Sequence, residues 1–214
     1  MAMTDYGQVY DYPASVRFEI KDKTPEDYSK AAHFLNTGKF DVVCLQHEFG
    51  IFGGEAGALI NTLLSQLVMP IVTTLHTVLA DPQPAQRAVL TNIVKTSDRV
   101  VVMAEKGREL LQTVYGVSAG KIEVIPHGIP DAPFTEPDAA KARLGFASRP
   151  VILTFGLLSP NKGIEVMIDA MPQILERCPN ALYVVLGATH PTLVRHEGER
   201  YRESLMARAH ALGI

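Results

Sequence analysis

Apolar positions along this chain follow two alternating periods. Short runs rich in β-branched and aliphatic residues, Asp41 to Gln46, Ile71 to Leu75, Arg99 to Met103, Lys121 to Ile125, Val151 to Phe155 and Ala181 to Leu186, have the length and continuity of buried strands. Between them, apolar residues recur at i, i+3, i+4 and i+7, the spacing of an amphipathic helix. Tyr28, Ala31, Ala32 and Leu35 mark a helix that starts near Pro25 with Thr24 as N-cap. Ala56, Leu59, Ile60, Leu63, Leu64 and Leu67 mark the next, which Pro70 ends. Further helices are predicted over 85–96, over 105–115 with Gly116 closing it, over 139–144, over 162–177 with a kink at Pro172, and over 198–212 with Tyr201, Leu205, Arg208 and Leu212 in register. Val16 to Ile20 reads as a short strand. Residues 1–15, which include Tyr6, Tyr10, Tyr12 and Pro13, show no period.

Strands alternating with helices predict right-handed βαβ units, and hence parallel sheets with helices on both faces. Residues 130–138, with Pro130, Pro133, Pro137 and the acids Asp131, Glu136 and Asp138, are the clearest shift in composition. They divide the chain into two Rossmann-like, doubly wound α/β domains, 1–130 and 131–214, which its length of 214 residues accommodates. In open parallel sheets ligands bind beyond the carboxyl ends of the strands. The expected site residues therefore lie there: His47 and Glu48, His76, His127, and Gly156 with Lys162.

A hydrophobic content of 47% with 20% charged residues describes an ordinary globular chain, and a net charge of −3 gives no reason to expect nucleic acid or an anionic membrane as partner. No window of 18 apolar residues occurs, so no membrane span is expected, and Met1 to Tyr12 contains Asp5 and Asp11 without the apolar core of a signal peptide. Cys44 and Cys178 lie far apart with no CxxC spacing, which suits reduced thiols in a cytoplasmic protein better than a disulfide or metal site.

The stretch Val151 to Glu165 concentrates the chemistry. A strand runs into Gly156, a short polar turn follows, and a helix begins with Lys162 at its mouth. Free N–H groups and the positive end of the helix dipole suit a phosphate there, Lys162 adds a full charge, and Gly156 and Gly163 admit an anion close to the backbone. The plain alternative is a strand-to-helix connection with a solvated lysine. Strand-end histidines commonly pack or cap, although three at such ends raise the odds of function. The loop Gly50 to Gly57 is either a ligand-facing segment or a turn where backbone approaches backbone.

In their order and spacing, Asp41-Val-Val-Cys-Leu-Gln-His47, Thr73-Thr74-Leu75-His76-Thr77, Pro126-His127-Gly128-Ile129, Phe155-Gly156 through Lys162-Gly163-Ile164-Glu165, and Leu186-Gly187 resemble the landmarks of retaining nucleotide-sugar glycosyltransferases of family 4, with the GT-B architecture. The resemblance covers residues 40–212. It implies transfer of a sugar from a nucleotide diphosphate sugar to a carbohydrate or other hydroxyl acceptor with retention of configuration, without a metal or other cofactor. By position, it implies that His76 is the catalytic histidine at the donor sugar, beside Thr74 and Thr77. It places Gly156, Ser159, Lys162 and Gly163 at the donor diphosphate. It puts His47, Glu48, Gly53 and Gly54 on the acceptor side and His127 at the domain junction.

Departures from the family pattern are specific. Leu157 occupies the place of a family arginine expected to share the diphosphate with the lysine. Neither the family's opening strand and glycine-rich loop nor its acidic Glu-x7-Glu motif is legible. Both domains are therefore expected to be incomplete, and the chain by itself inactive and inclined to self-associate through exposed strand edges. A non-catalytic nucleotide-sugar-binding or scaffold module is the rival reading. A NAD-dependent dehydrogenase is disfavoured, since no G-x-G-x-x-G follows a strand with an acid about twenty residues on.

Overall fold

The computed structural model describes every residue except Tyr6, so that tyrosine of the opening tract lies outside the described residues. Two compact units emerge, Met1–Pro130 and Asp131–Ile214.

In the first unit, β1 (Ala2–Thr4) and β2 (Glu19–Lys21) form a parallel pair, and β3 (Val43–His47), β4 (Ile71–Leu75), β5 (Arg99–Val102) and β6 (Ile122–Val124) form a parallel sheet in that order. The helices are α1 (Pro25–Thr37), α2 (Ile60–Leu64), α3 (Pro84–Thr96) and α4 (Glu105–Thr113). Strand β1 corrects the expectation that nothing before Val16 is a strand. Three residues are too few to display a period of two, and its buried position, Thr4, is polar. The expected strand Val16 to Ile20 likewise shifts to Glu19–Lys21.

Helix α1 forms as the spacing predicts. Pro25 presets φ in the first turn, Glu26 and Asp27 suit the dipole there, and Tyr28, Ala31, Ala32 and Leu35 are buried. Thr24 is the N-cap residue, although its hydroxyl makes no capping bond. The second predicted helix is corrected. Ala56 takes a left-handed φ of 51°, so the segment forms a 3-10 turn over Glu55–Gly57 and regular helix only over Ile60–Leu64. All four helices send side chains into one core, including Leu35, Leu63, Leu90, Ile93 and Leu111, against Ile71, Leu75, Val100 and Val102 of the sheet. Along β3 the opposite face is open: Cys44 and Gln46 are exposed, alternating with Leu45 and His47. This corrects the reading of Asp41 to Gln46 as a buried strand.

The second unit contains α5 (Pro137–Arg143), β7 (Val151–Phe155), α6 (Ile164–Arg177), β8 (Leu182–Leu186), α7 (Pro191–Glu197) and α8 (Arg200–Ala211). Strands β7 and β8 pair in parallel register from Val151↔Leu182 to Phe155↔Leu186. One face of the pair, through Tyr183, packs on Leu158, Ile164, Ile168 and Leu205. The other face is open, with Leu153 57% and Phe155 76% exposed. That corrects the expectation of a strand covered on both sides; helices α6 and α8 pack on one side only. Pro172 sits inside α6 without ending it. The helix expected over 198–212 forms as α8, and a further helix that the pattern does not predict, α7, precedes it and ends at Gly198, whose φ is 65°. Helix α8 is held to α6 by a two-pronged Arg208–Asp169 ion pair and by the Tyr201 hydroxyl donating to Glu165 Oε1 at 2.8 Å. Residues 125–136 carry no regular secondary structure and are all exposed.

Candidate functional site

Because β3 to β6 are parallel, their carboxyl ends line one edge of the sheet, and the sequence-predicted histidines arrive there on separate strands. His76 follows the last residue of β4. Its backbone N–H donates to the His47 carbonyl at 3.0 Å, so the ladder with β3 continues through it and fixes its Cα. Its ring is exposed, and Nε2 lies 2.8 Å from Gln46 Oε1. The His127 ring is 6.3 Å away, centroid to centroid, tilted by 42°. The structure thus brings His76 and His127 together. Thr77 and Glu48 meet as well: the Thr77 hydroxyl donates to Glu48 Oε2 at 2.7 Å, and the Phe49 N–H donates to Glu48 Oε1 at 3.0 Å. Both Glu48 oxygens are engaged: Oε2 ties the β3 loop to the β4 loop, and Oε1 holds the carboxylate to its own loop. Thr74 is half-buried on β4, with Gln46 as its cross-strand partner.

His47 does not join this exposed group. Its position in β3 turns it to the core, where it is fully buried between Phe49, edge-on at 5.0 Å, and Phe52, stacked at 5.8 Å. Neither ring nitrogen has a hydrogen-bond partner among the described residues. Burial pushes the imidazole pKa down to about 4; the Glu48 carboxylate opposes this and His76 adds to it. The ring is therefore neutral at pH 7 and serves as an aromatic filler. This corrects its assignment to the ligand-facing side.

The loop after His47 is anchored at Gly53. Its N–H donates to the Tyr28 hydroxyl at 2.9 Å, which in turn donates to the Asp22 carbonyl at 2.8 Å. A side chain at Gly53 would place its Cβ only 1.8 Å from the Asp22 oxygen. At Gly53, the backbone-approach reading describes the loop. Gly54 is exposed, with φ at 80°.

In the second unit, β7 ends at Gly156, whose N–H donates to the Leu186 carbonyl at 3.0 Å. Gly187 packs so tightly on Gly156 that a Cβ there would fall 1.7 Å from the Gly156 oxygen. The chain then passes through buried Leu158 to Ser159, whose hydroxyl donates to Asn161 Oδ1. A 3-10 turn, Pro160–Lys162, leads to Gly163, where a φ of 65° lets the chain turn directly into α6. No side chain caps α6, so its first N–H groups are open to an anion, with Lys162 exposed on the preceding turn. Leu157 is exposed and brings no charge. Arg149, the arginine nearest to it in sequence, donates to the Asn180 and Ala181 carbonyls at 2.9 and 3.1 Å instead.

Two residues with structural roles at these sites were not singled out from sequence. Gln46 reads in the sequence as the end of an apolar strand, although a long polar side chain one residue before a strand-end histidine is a visible signal. Tyr28 was placed in the core by its helical period, and nothing in a period reveals where its hydroxyl goes.

Among the described residues no helix is long and apolar enough to cross a membrane, and no three His, Cys, Asp or Glu side chains gather to hold a metal ion. Residues 7–132, more than half of the chain, match the profile of the family described as Glycosyltransferase Family 4. A D-inositol 3-phosphate glycosyltransferase of Segniliparus rotundus is 30% identical over 184 residues, which cover 79% of this chain and 39% of that protein. A GDP-mannose-dependent alpha-(1-6)-phosphatidylinositol monomannoside mannosyltransferase of Mycolicibacterium smegmatis is 28% identical over 135 residues, covering 61% of this chain and 32% of that one. The crystal structure of Anabaena Alr3699/HepE in complex with UDP and glucose superposes with a TM-score of 0.65 at 18% identity, over 88% of this chain and 48% of its own. The likeness is one of fold, the GT-B architecture. The chain spans about two fifths or less of the length of the two relatives.

Proposed function

The chain belongs to glycosyltransferase family 4, and from that premise we propose that it serves transfer of a hexose from a nucleotide diphosphate sugar to a carbohydrate or other hydroxyl acceptor, with retained anomeric configuration. The observation that carries this reading is the second unit's turn: exposed Lys162 followed by left-handed Gly163 and the uncapped start of α6. As the glycosidic bond breaks, negative charge develops on the leaving diphosphate and positive charge on the sugar ring. Lys162 and the α6 N–H groups neutralise the former. His76 is assigned to the sugar, because its backbone is fixed by the ladder while its ring stays exposed. Lys162 takes the neutralising role that a metal ion would otherwise fill. The UDP and glucose of the Anabaena complex and the inositol-bearing substrates named for the two relatives support a sugar donor of this kind and a polyol acceptor. The free thiols Cys44 and Cys178 suit a reducing compartment, and we place the reaction in the cytoplasm.

Calorimetric titration with UDP tests the donor half. Lys162→Ala should weaken UDP binding roughly tenfold to a hundredfold, the range for one charge-assisted contact to phosphate. Unchanged affinity removes Lys162 from the diphosphate. His76 is tested by comparing UDP-glucose with UDP: His76→Ala should erase about fivefold to tenfold of preference for the sugar-bearing nucleotide and leave UDP alone unaffected. Equal losses for both ligands would return His76 to the packed histidines.

We propose further that the 214-residue chain by itself is inactive and self-associates. The open apolar face of β7 and β8, with Leu153, Phe155 and Leu186 side by side, is the surface that drives association. Light scattering should report species larger than a monomer; a monomeric preparation that transfers sugar would overturn this part.

A further inference from the structure

The loop that follows β8 runs beside the Lys162 turn. Register in the β7–β8 pair continues past the strands themselves: after Phe155↔Leu186 comes an isolated parallel bridge, Leu158↔Thr189. The Leu158 N–H donates to the Ala188 carbonyl at 2.8 Å, and the His190 N–H donates to the Leu158 carbonyl at 3.0 Å. One step further along, Ser159 and His190 are neighbours. Leu158 and Thr189 are both buried, so the alternation of extended chain turns Ser159 and His190 to the opposite face. The Lys162 N–H folds back to the Ser159 carbonyl at 3.0 Å, which keeps Lys162 within one turn of this pair.

Capping accounts for one side of the His190 ring only. Nδ1 accepts the Thr192 N–H at 3.2 Å at the start of α7. A backbone N–H can only donate, so Nδ1 keeps its lone pair and the proton of the neutral ring sits on Nε2. That Nε2–H has no partner among the described residues. The backbone beneath the ring is pinned through the Leu158 carbonyl and through the buried Thr189 hydroxyl, which donates to Glu199 Oε2. We propose that His190 is a further binding residue of the donor site, its Nε2–H donating to a phosphate oxygen of the nucleoside diphosphate. This rests on the assignment of the Lys162 turn to the diphosphate made above. From Gly156 to Gly163 the sequence carries one charged side chain, Lys162, and two linked phosphates bring more negative charge than one lysine balances. A ring already held by its capping bond loses little freedom on binding, so its hydrogen bond to a charged oxygen adds to affinity at little ordering cost.

His190→Asn separates capping from binding. The asparagine Oδ1 falls where Nδ1 stands and keeps the cap, whereas nothing takes the place of Nε2. The fold should therefore persist, which circular dichroism and thermal unfolding of the same samples confirm. Calorimetric titration of the 214-residue chain with UDP should show affinity about fivefold to twentyfold weaker in His190→Asn, the range for one hydrogen bond to a charged group. Pyrophosphate, titrated as a competitor against UDP, carries phosphate without nucleoside and should lose the same factor. An unchanged UDP affinity overturns the proposal. A loss confined to UDP, or no competition by pyrophosphate in the parent, overturns the phosphate assignment. Long-range proton–nitrogen correlation spectra of the free, nitrogen-labelled chain form the second arm: His190 should be in the Nε2–H form, and a dominant Nδ1–H form overturns the proposal without involving any ligand. Lys162→Ala, titrated in parallel, keeps the two readings apart. If it weakens UDP while His190→Asn does not, His190 fails and the diphosphate turn stands. If the parent binds no UDP, the diphosphate reading fails and this inference with it.

Discussion

Gly53→Ala should destabilise the first unit by at least about 3 kcal/mol, enough to leave much of the chain unfolded at moderate urea. The added methyl would sit 1.8 Å from the Asp22 carbonyl oxygen, well inside contact distance, so one of the two backbones must move. Neither is free to do so. The Gly53 N–H and the Asp22 oxygen are both bonded to the one hydroxyl of Tyr28, and Tyr28 is itself buried in the α1 face. Displacement therefore costs the overpacking strain of roughly 1–3 kcal/mol and strands buried polar groups at roughly 1–3 kcal/mol each. Urea denaturation followed by circular dichroism measures the loss. A change below about 1 kcal/mol would mean that the loop relaxes without Tyr28, and that the 47–57 segment is held by something else.

The second large effect is a dependence of stability on pH through His47. In the unfolded chain its imidazole titrates near 6.5, whereas burial between Phe49 and Phe52 lowers the folded value to about 4. The folded state thus binds the proton less well than the unfolded one. The stability carried by the neutral ring is complete above about pH 6.5, declines as pH falls through the interval to about 4, and is gone below it. A displacement of this size corresponds to about 3 kcal/mol between pH 7 and pH 4. Carboxylates titrate in the same interval, so the comparison that isolates His47 is the parent chain against His47→Phe, which keeps an aromatic ring and removes the titration. The parent should lose more stability on acidification by about that amount. Parallel pH profiles for the two would show that water reaches the imidazole and that its pKa is close to ordinary.

Strand and helix order was legible because burial on a core leaves a period in the sequence. Tyr28, Ala31, Ala32 and Leu35 announce α1, and Ile71, Thr73 and Leu75 alternate inward in β4. Elements that bury little were not legible: β1 spans only Ala2–Thr4 and buries the polar Thr4, and α7 has no buried residue to mark a period. Local backbone conformation overrode the pattern at Ala56, where a left-handed residue inside an apolar period cut the expected helix short. The apolar runs of β3 and β7 overstated burial, because a run of valine and leucine records what a strand can bury and not what covers it. At the site, a histidine at a strand end gives no sign of the face it takes. His47 and His76 end neighbouring strands, yet one is buried and the other exposed. The deciding factor is register, which pairs His47 with Leu75 and brings Gln46 onto the face of His76, and register depends on contacts far apart in the chain.

The connector at 125–136 has a consequence for protease sensitivity. An exposed segment without regular structure is where a protease gains its foothold. Yet no lysine or arginine occurs between Lys121 and Lys141, so trypsin finds no cleavable bond in the connector itself. Phe134, 83% exposed, offers instead a bond to an enzyme that prefers aromatic residues. Chymotryptic scission there would part β6 from α5 within the irregular start of the second unit, cutting no helix or strand, and would leave His76 with Gln46 and Lys162 with α6 on separate pieces of polypeptide.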